Sequence, residues 1–251
     1  MWDTFIVIPM TNLLLGIYEL IGHNFGIAIV LFTILIRAVT WPLTAQQLKG
    51  TQGMQELQTD KEWQGIQKKY AKDKEKLAQE QMRIYKERGI NPFGSCLPTL
   101  IQFPVIIGLY QAIIRALAAT PLSLLNLSRS LYSFLDVTRV IPLKSHFLWM
   151  DLGRPEFLNI FGFALPTLAI IVVITSYIQS KLMTPPSNPG DQSAAMSNMM
   201  SIYMPFLMGY FAMTFASGLA LYFITSNLLG ILQYAMMGRA NWSNIIPGKK
   251  N

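Results

Sequence analysis

A single cysteine, Cys96, among 251 residues excludes an intrachain disulfide, and one cysteine with two scattered histidines gives no metal-ligand spacing. The sequence has no GxxxxGK[ST] phosphate loop and no Ser/His/Asp or Cys/His set, which argues against nucleotide hydrolysis and intramembrane proteolysis. No cofactor, metal or enzymatic activity is expected. Charge is also scarce: 13% of residues are Asp, Glu, Lys or Arg against 52% hydrophobic, a balance expected of a membrane protein and not of a soluble domain. Residues 1–24 contain no Lys or Arg, and they lack the basic start and small-x-small site of a cleaved signal.

What the chain does have is long uncharged tracts. Residues 20–48 carry only Arg37, 97–114 and 157–180 carry no charge, and 192–238 form a 47-residue uncharged run. As one helix the last would be roughly 70 Å long, against a hydrocarbon thickness of about 30 Å, so it must fold back, most plausibly at Ala216-Ser217-Gly218. The expected fold is an all-α integral membrane protein, a five-transmembrane-helix bundle with spans near 25–44, 97–117, 160–183, 199–215 and 219–238. Pro104, Pro166 and Pro205 interrupt these spans and suggest a bundle that is not tightly closed.

Residues 46–94 hold ten Lys/Arg and seven Asp/Glu, which by the positive-inside rule makes this loop cytoplasmic, with the N-terminus outside and the C-terminus inside. Its Lys-, Glu- and Gln-rich sequence reads as a cytoplasmic helical hairpin, broken near Lys72-Asp73 or Gly65 and stopped at Gly89 and Asn91-Pro92. Apolar residues such as Trp63, Tyr70 and Tyr85 would give it a thin seam; the hairpin is either an arm that meets partners or a solvated connector. Residues 1–23 place Trp2, Phe5, Ile6, Leu13, Ile17, Leu20 and Ile21 roughly opposite Asp3, Thr4, Thr11, Asn12 and Glu19, an interfacial amphipathic helix or else an extra span. Residues 184–195 form a short loop, and 240–251 form a short cytoplasmic tail. Seven of the fourteen methionines fall between 183 and 213, which suits either ordinary packing or a surface that accepts varied apolar segments.

Arg37 is the outlier. Thr33, Arg37, Thr40 and Thr44 stand at i, i+4, i+7 and i+11, one stripe of the first span. An arginine at bilayer depth costs about 2.5 to 3.5 kcal/mol on insertion scales and usually meets a carboxylate, yet the five expected spans contain no Asp or Glu. Either Arg37 snorkels or binds backbone carbonyls, or it sits in a hydrated cavity open to the cytoplasm and attracts a transient anion. Gln102 with Thr99, Gln179 with Thr175, and Tyr222, Ser226 and Gln233 are polar groups on other spans that either line such a cavity or hydrogen-bond between helices.

Three stretches, "ILIRAVTWPLT", "YKERGINPFGSCLPTLIQFPVIIGLY" and "SGLALYFITSNLLGILQ", in this order and with a charged hairpin between the first two, resemble the YidC/Oxa/Alb family of membrane protein insertases from residue 24 to residue 239. The resemblance implies the minimal five-span core in a bacterial cytoplasmic (inner) membrane. Its groove arginine corresponds to Arg37 and its functional threonine to Thr33, while the aromatic pair that is Tyr-Tyr in familiar members is Tyr222-Phe223 here and the proline before "SG" is Ala216. It further implies an insertase and chaperone with Arg37, Thr33 and the aromatic Tyr222 in a substrate-contacting groove, to which the polar stripes of the spans add Thr40, Gln102, Gln179 and Ser226. Its partners would be nascent or newly made membrane proteins, the lipid bilayer, the ribosome and the general secretory translocon, with no sequence-specific nucleic acid. Competing readings are an anion transporter or channel, and a structural membrane scaffold.

Overall fold

The computed structural model describes residues 1–70, 73–89, 97–117, 120–140, 143–160, 162–183 and 192–238. The loop expected at 184–195 and the tail at 240–251 lie largely or wholly outside them, as do Cys96, Lys72 and Asn91-Pro92.

The chain is mostly helical. A π-helical turn, Asp3–Val7, runs into α1 (Ile8–Leu20), followed by α2 (Phe25–Thr59) and two charged helices, α3 (Lys61–Lys69) and α4 (Lys74–Glu87). Then come α5 (Leu97–Ala116), α6 (Pro121–Ser130) and the single turn α7 (Val137–Val140). Four short strands follow, β1 (His146–Phe147), β2 (Met150–Asp151), β3 (Leu158–Ile160) and β4 (Phe163–Leu165), and the chain closes with α8 (Thr167–Met183), α9 (Gln192–Thr214) and α10 (Ser217–Met236).

Among the described residues, three stretches are long and apolar enough to cross a membrane: Asp3–Leu20, Phe25–Ala45 and Ser217–Met236. Gln102–Ala116 and Pro121–Ser130 pass together as a pair bent by 117°, and α8 is a shorter apolar helix. The uncharged run 192–238 does fold back, with α9 ending at Thr214 and α10 starting at Ser217.

Two differences from the sequence reading have clear causes. The span expected at 160–183 starts as helix only at Thr167, because Leu158–Ile160 and Phe163–Leu165 pair as the antiparallel β3–β4 sheet and Pro166 has no N–H to give to a preceding turn. Pro166 therefore precedes the helix and does not interrupt it, whereas Pro104 and Pro205 do lie inside α5 and α9. In the N-terminal segment, Thr11 and Asn12 on the expected polar face are buried, while Phe5 and Leu20 on the expected apolar face are exposed. The protein interior takes up the two polar residues because each is satisfied. Thr11 donates to the Val7 carbonyl; Asn12 donates to the Ser130 carbonyl and accepts from the Tyr132 amide.

One apolar cluster joins Leu14, Leu15 and Tyr18 of α1 to Phe25, Ile29 and Phe32 of α2, Leu109 and Ile113 of α5, Val172 of α8 and Tyr222 of α10. A second, separate cluster joins Leu57, in the last turn of α2, to Trp63 of α3 and to Ile84 and Tyr85 of α4. Gly65 lies inside α3, and the break falls between Tyr70 and Asp73, whose carboxylate caps α4 by accepting from the Lys76 amide. Asp60 caps α3 in the same way and also binds Arg88 at 2.6 Å. That Arg88 contact, with the Glu62 amide behind it, holds the Asp60 carboxyl below its ordinary value.

Candidate functional site

α2 places Arg37 twelve residues after Phe25, roughly 18 Å along the helix and far from either end of its apolar stretch. The three threonines of the stripe satisfy their hydroxyl protons on their own helix: Thr33 donates to the Ile29 carbonyl at 2.6 Å, Thr40 to that of Ile36 at 2.8 Å and Thr44 to that of Thr40 at 3.0 Å. They remain able to accept. Thr33 is fully buried, and Thr40 is half-buried beside the arginine.

Arg37 reaches across to α10. Its Nε donates to Ser226 Oγ at 3.0 Å, and its Nη2 donates to the same oxygen at 2.6 Å and to the Ser226 carbonyl at 2.8 Å. This carbonyl contact supplies part of what water would have given, which lowers the cost of the charge without neutralising it. No carboxylate occurs in residues 25–45 or in α5, α8, α9 or α10, so the neighbourhood stays cationic.

Two further turns of α10 complete the site. Tyr222, one turn before Ser226, is buried and its hydroxyl accepts from Gln102 Nε2 on α5. Gly230, one turn after, has no side chain, and the space is taken by the end of Gln179 from α8, with Arg37 Nη2 3.6 Å from where a Cβ would stand. Arg37, Gln102, Gln179, Tyr222 and Ser226 therefore converge from four helices, with Thr33 and Thr40 on the adjoining face of α2. Gln233 continues the α10 stripe, buried, its Nε2 without a hydrogen-bond partner among the described residues.

The sequence reading missed Asn227 and Ser176. Asn227 Nδ2 donates to Thr175 Oγ1 at 3.0 Å and to Ser176 Oγ at 2.8 Å, tying α10 to α8 beside the arginine. A polar pair at 226–227 inside an apolar span was the available signal. Thr175 is thus an interhelical contact; the side chain of Thr99 lies outside what is described. Arg115, in the last turn of α5, has an ion-pair partner in Asp3 at 2.6 Å.

In the charged helices, Trp63 and Tyr85 pack together in the second cluster, whereas Tyr70 closes α3 half-buried, under the Lys69 ammonium at 5.2 Å. Among the described residues no group of three or more His, Cys, Asp or Glu is placed to hold a metal ion.

Comparison with known proteins gives a consistent result. The sequence model of the family described as 60Kd inner membrane protein matches residues 16–243. Membrane protein insertase MisCA of Bacillus subtilis is 34% identical over 92% of this chain and 77% of its own length. Membrane protein insertase YidC 1 of Halalkalibacterium halodurans is 35% identical over the same shares, 92% and 77%. Membrane protein insertase YidC of Oceanobacillus iheyensis is 30% identical over 95% and 84%. Among solved structures, a crystal structure of an active YidC insertase with its first transmembrane domain resolved aligns with a TM-score of 0.58 and 28% identity. That alignment covers 94% of this chain but 46% of the solved one, so this chain spans about half of that protein.

Proposed function

The chain belongs to the 60Kd inner membrane protein family, in company with membrane protein insertases, and from that premise we propose that it inserts client proteins into the bilayer through a polar groove built around Arg37. In this reading α2, α5, α8, α9 and α10 are five spans, the α3–α4 hairpin is cytoplasmic, and the N-terminus lies outside. α1 rests at the outer surface, a placement supported by its partners: Asn12 meets Ser130 and Tyr132, and the Tyr18 hydroxyl accepts from the Lys144 amide, all in the segment after α5.

The observation that carries the proposal is the state of Arg37. Its guanidinium is held by a neutral hydroxyl and a carbonyl, at depth, with glutamine, tyrosine and threonine oxygens nearby and no acid to neutralise it. Such a charge raises the local concentration of anions, and a client's acidic tail can exchange with Ser226 for it. The exchange is reversible because the resting ligand is itself a good one; a permanent carboxylate would remove the attraction, and an unliganded arginine would bind too tightly to release. The polar residues shorten the apolar path for the hydrophilic tail while the client's apolar segment moves along the helices into lipid. No step makes or breaks a covalent bond, so the chain acts as a chaperone of insertion and not as an enzyme.

The α3–α4 hairpin, stapled by Trp63, Ile84 and Tyr85 and by Arg88 on Asp60 and Glu62, is read as the arm that receives nascent chains, with the ribosome and the general translocon as its candidate partners. The test of the whole reading is reconstitution: liposomes containing only this chain should take up a small single-span client, and protein-free liposomes should not. Anion flux without client insertion would instead support a transport path.

A further inference from the structure

The strands before α8 carry a feature that the groove does not use. β1 and β2 pair with Phe147 opposite Met150, leaving Leu148 and Trp149 as a two-residue turn. Such turns favour Asn-Gly or Gly-containing pairs because a central residue takes positive φ. Here that residue is Leu148, at φ +56°, a left-handed conformation that is unfavourable for a branched apolar side chain. The Leu148 side chain is 74% exposed, and the Trp149 side chain 53%.

The turn is held rigidly against the helices that start beside it. Phe147 lies directly over Gly26 at the beginning of α2, where any Cβ would collide with its ring. The carbonyls of Asp151, Leu152 and Arg154 accept from the Ser217 hydroxyl at 2.7 Å, the Gly218 amide at 3.0 Å and the Ser217 amide at 2.8 Å, capping α10, whose N-cap residue Ala216 offers no side-chain acceptor. Glu156, buried, accepts from the Leu168 amide and the Thr167 hydroxyl at the start of α8, and its carboxylate also accepts from the Trp149 indole N–H at 3.1 Å. The hairpin thus ties together the first turns of α2, α8 and α10, and Glu156 fixes the indole at the level where α8 begins. Phe157 and Phe163, also exposed, flank the same level.

We propose that the Leu148–Trp149 tip, with Phe157 and Phe163, is a lipid-surface anchor: it enters the headgroup and upper acyl region of the leaflet at which α2, α8 and α10 begin, and sets the depth of those helices. An apolar turn with an indole whose N–H is already satisfied is suited to that zone, where aromatic rings concentrate. The occupant is lipid because Glu156 ties Trp149 to the start of α8, and α8 carries an exposed apolar flank, Ile170, Ile171 and Ile174. The proposal rests on the reading of α8 as a span.

The test uses the full chain, with Cys96→Ser, in phosphatidylethanolamine/phosphatidylglycerol vesicles. An environment-sensitive fluorophore is placed at Leu148→Cys or, separately, at Ile174→Cys. Bromines on the upper acyl chain, at the ~5–10 Å depth typical of interfacial segments, should quench the label at 148, and mid-chain bromines should quench the one at 174. Without labels, the difference in emission between wild type and Trp149→Phe should show the same shallow quenching. Deep quenching at 174 with none at 148 or 149 would overturn the anchor while leaving the span in place, and would assign the tip to a protein partner or to water. No quenching at 174 would instead overturn the spanning reading on which the anchor rests. As a structural control, Leu148→Gly relieves the positive φ and should leave the thermal midpoint in detergent unchanged or higher; a clear fall would make Leu148 a packing residue and contradict its assignment to lipid.

Discussion

Arg37 on α2 and Ser226 on α10 form a three-bond contact, two hydrogen bonds to the hydroxyl at 3.0 and 2.6 Å and one to the carbonyl at 2.8 Å, between residues 189 apart in sequence. This contact is a helix–helix tie and, in the proposed function, the resting state of the arginine's charge.

Ser226→Ala removes the hydroxyl and leaves the carbonyl. The fold should survive with a loss of about 1 to 2 kcal/mol, seen as a lower thermal midpoint in detergent. Because the resting ligand is weakened, photocrosslinks from position 40 to an acidic client tail should become longer-lived. Unchanged lifetimes would separate Ser226 from client exchange.

Asn227→Ala breaks both bonds to Thr175 and Ser176. Interhelical hydrogen bonds in membranes contribute about 1 kcal/mol, so thermal unfolding should shift modestly, and Asn227→Leu, which adds apolar packing, should recover part of the loss. A midpoint unaffected by Asn227→Ala would mean that the α8–α10 contact is carried by packing alone.

Trp63→Ala empties the centre of the small cluster between α3 and α4. With Leu57, Ile84 and Tyr85 and the partly buried Ile66 and Leu77 left around a cavity, a loss of about 3 kcal/mol exceeds what such a hairpin holds. Hydrogen exchange across residues 61–87 should rise towards that of an unstructured chain while α8 and α10 keep their protection.

The pH response of the same hairpin follows from Asp60, whose carboxyl is held below its ordinary value chiefly by the Arg88 hydrogen bond. A depressed folded-state value means the contact contributes fully above the unfolded carboxyl value and is lost as pH falls through the folded one. Resistance of residues 60–88 to proteolysis should therefore stay level from about pH 8 to about pH 5 and decline only below about pH 4. In Arg88→Gln resistance should be lower near neutral pH and that decline shallower, because less of the depression remains to be lost.

Gly26→Ala should destabilise by about 1 to 3 kcal/mol because the methyl would meet the Phe147 ring. Phe147→Ala in the same chain should give back part of this loss, as scored by thermal unfolding.

Some of this arrangement was readable from residue spacing and some was not. The Thr33–Arg37–Thr40–Thr44 stripe follows from helical periodicity alone, and so does the alignment of Tyr222, Ser226 and Gln233. That Ser226 and not a client or the headgroups holds Arg37 at rest depends on how α2 and α10 pack, which periodicity does not encode. In the N-terminal helix the apolar and polar faces are legible from spacing, but the burial of Thr11 and Asn12 depends on Val7, Ser130 and Tyr132, which satisfy them and which periodicity does not place. β1 to β4 are two or three residues each, too short for an alternating pattern to register, and they displaced the start of α8 from 160 to Thr167.

The most direct measurement compares two clients that differ only in the tail, one with two aspartates and one with two asparagines, for insertion into liposomes by wild type, Arg37→Lys and Arg37→Ala. Arg37→Ala should lose insertion of the acidic client by about tenfold or more while Arg37→Lys largely retains it, and the neutral client should be much less affected. Equal insertion of the acidic client by wild type and Arg37→Ala would contradict the role given to the groove charge.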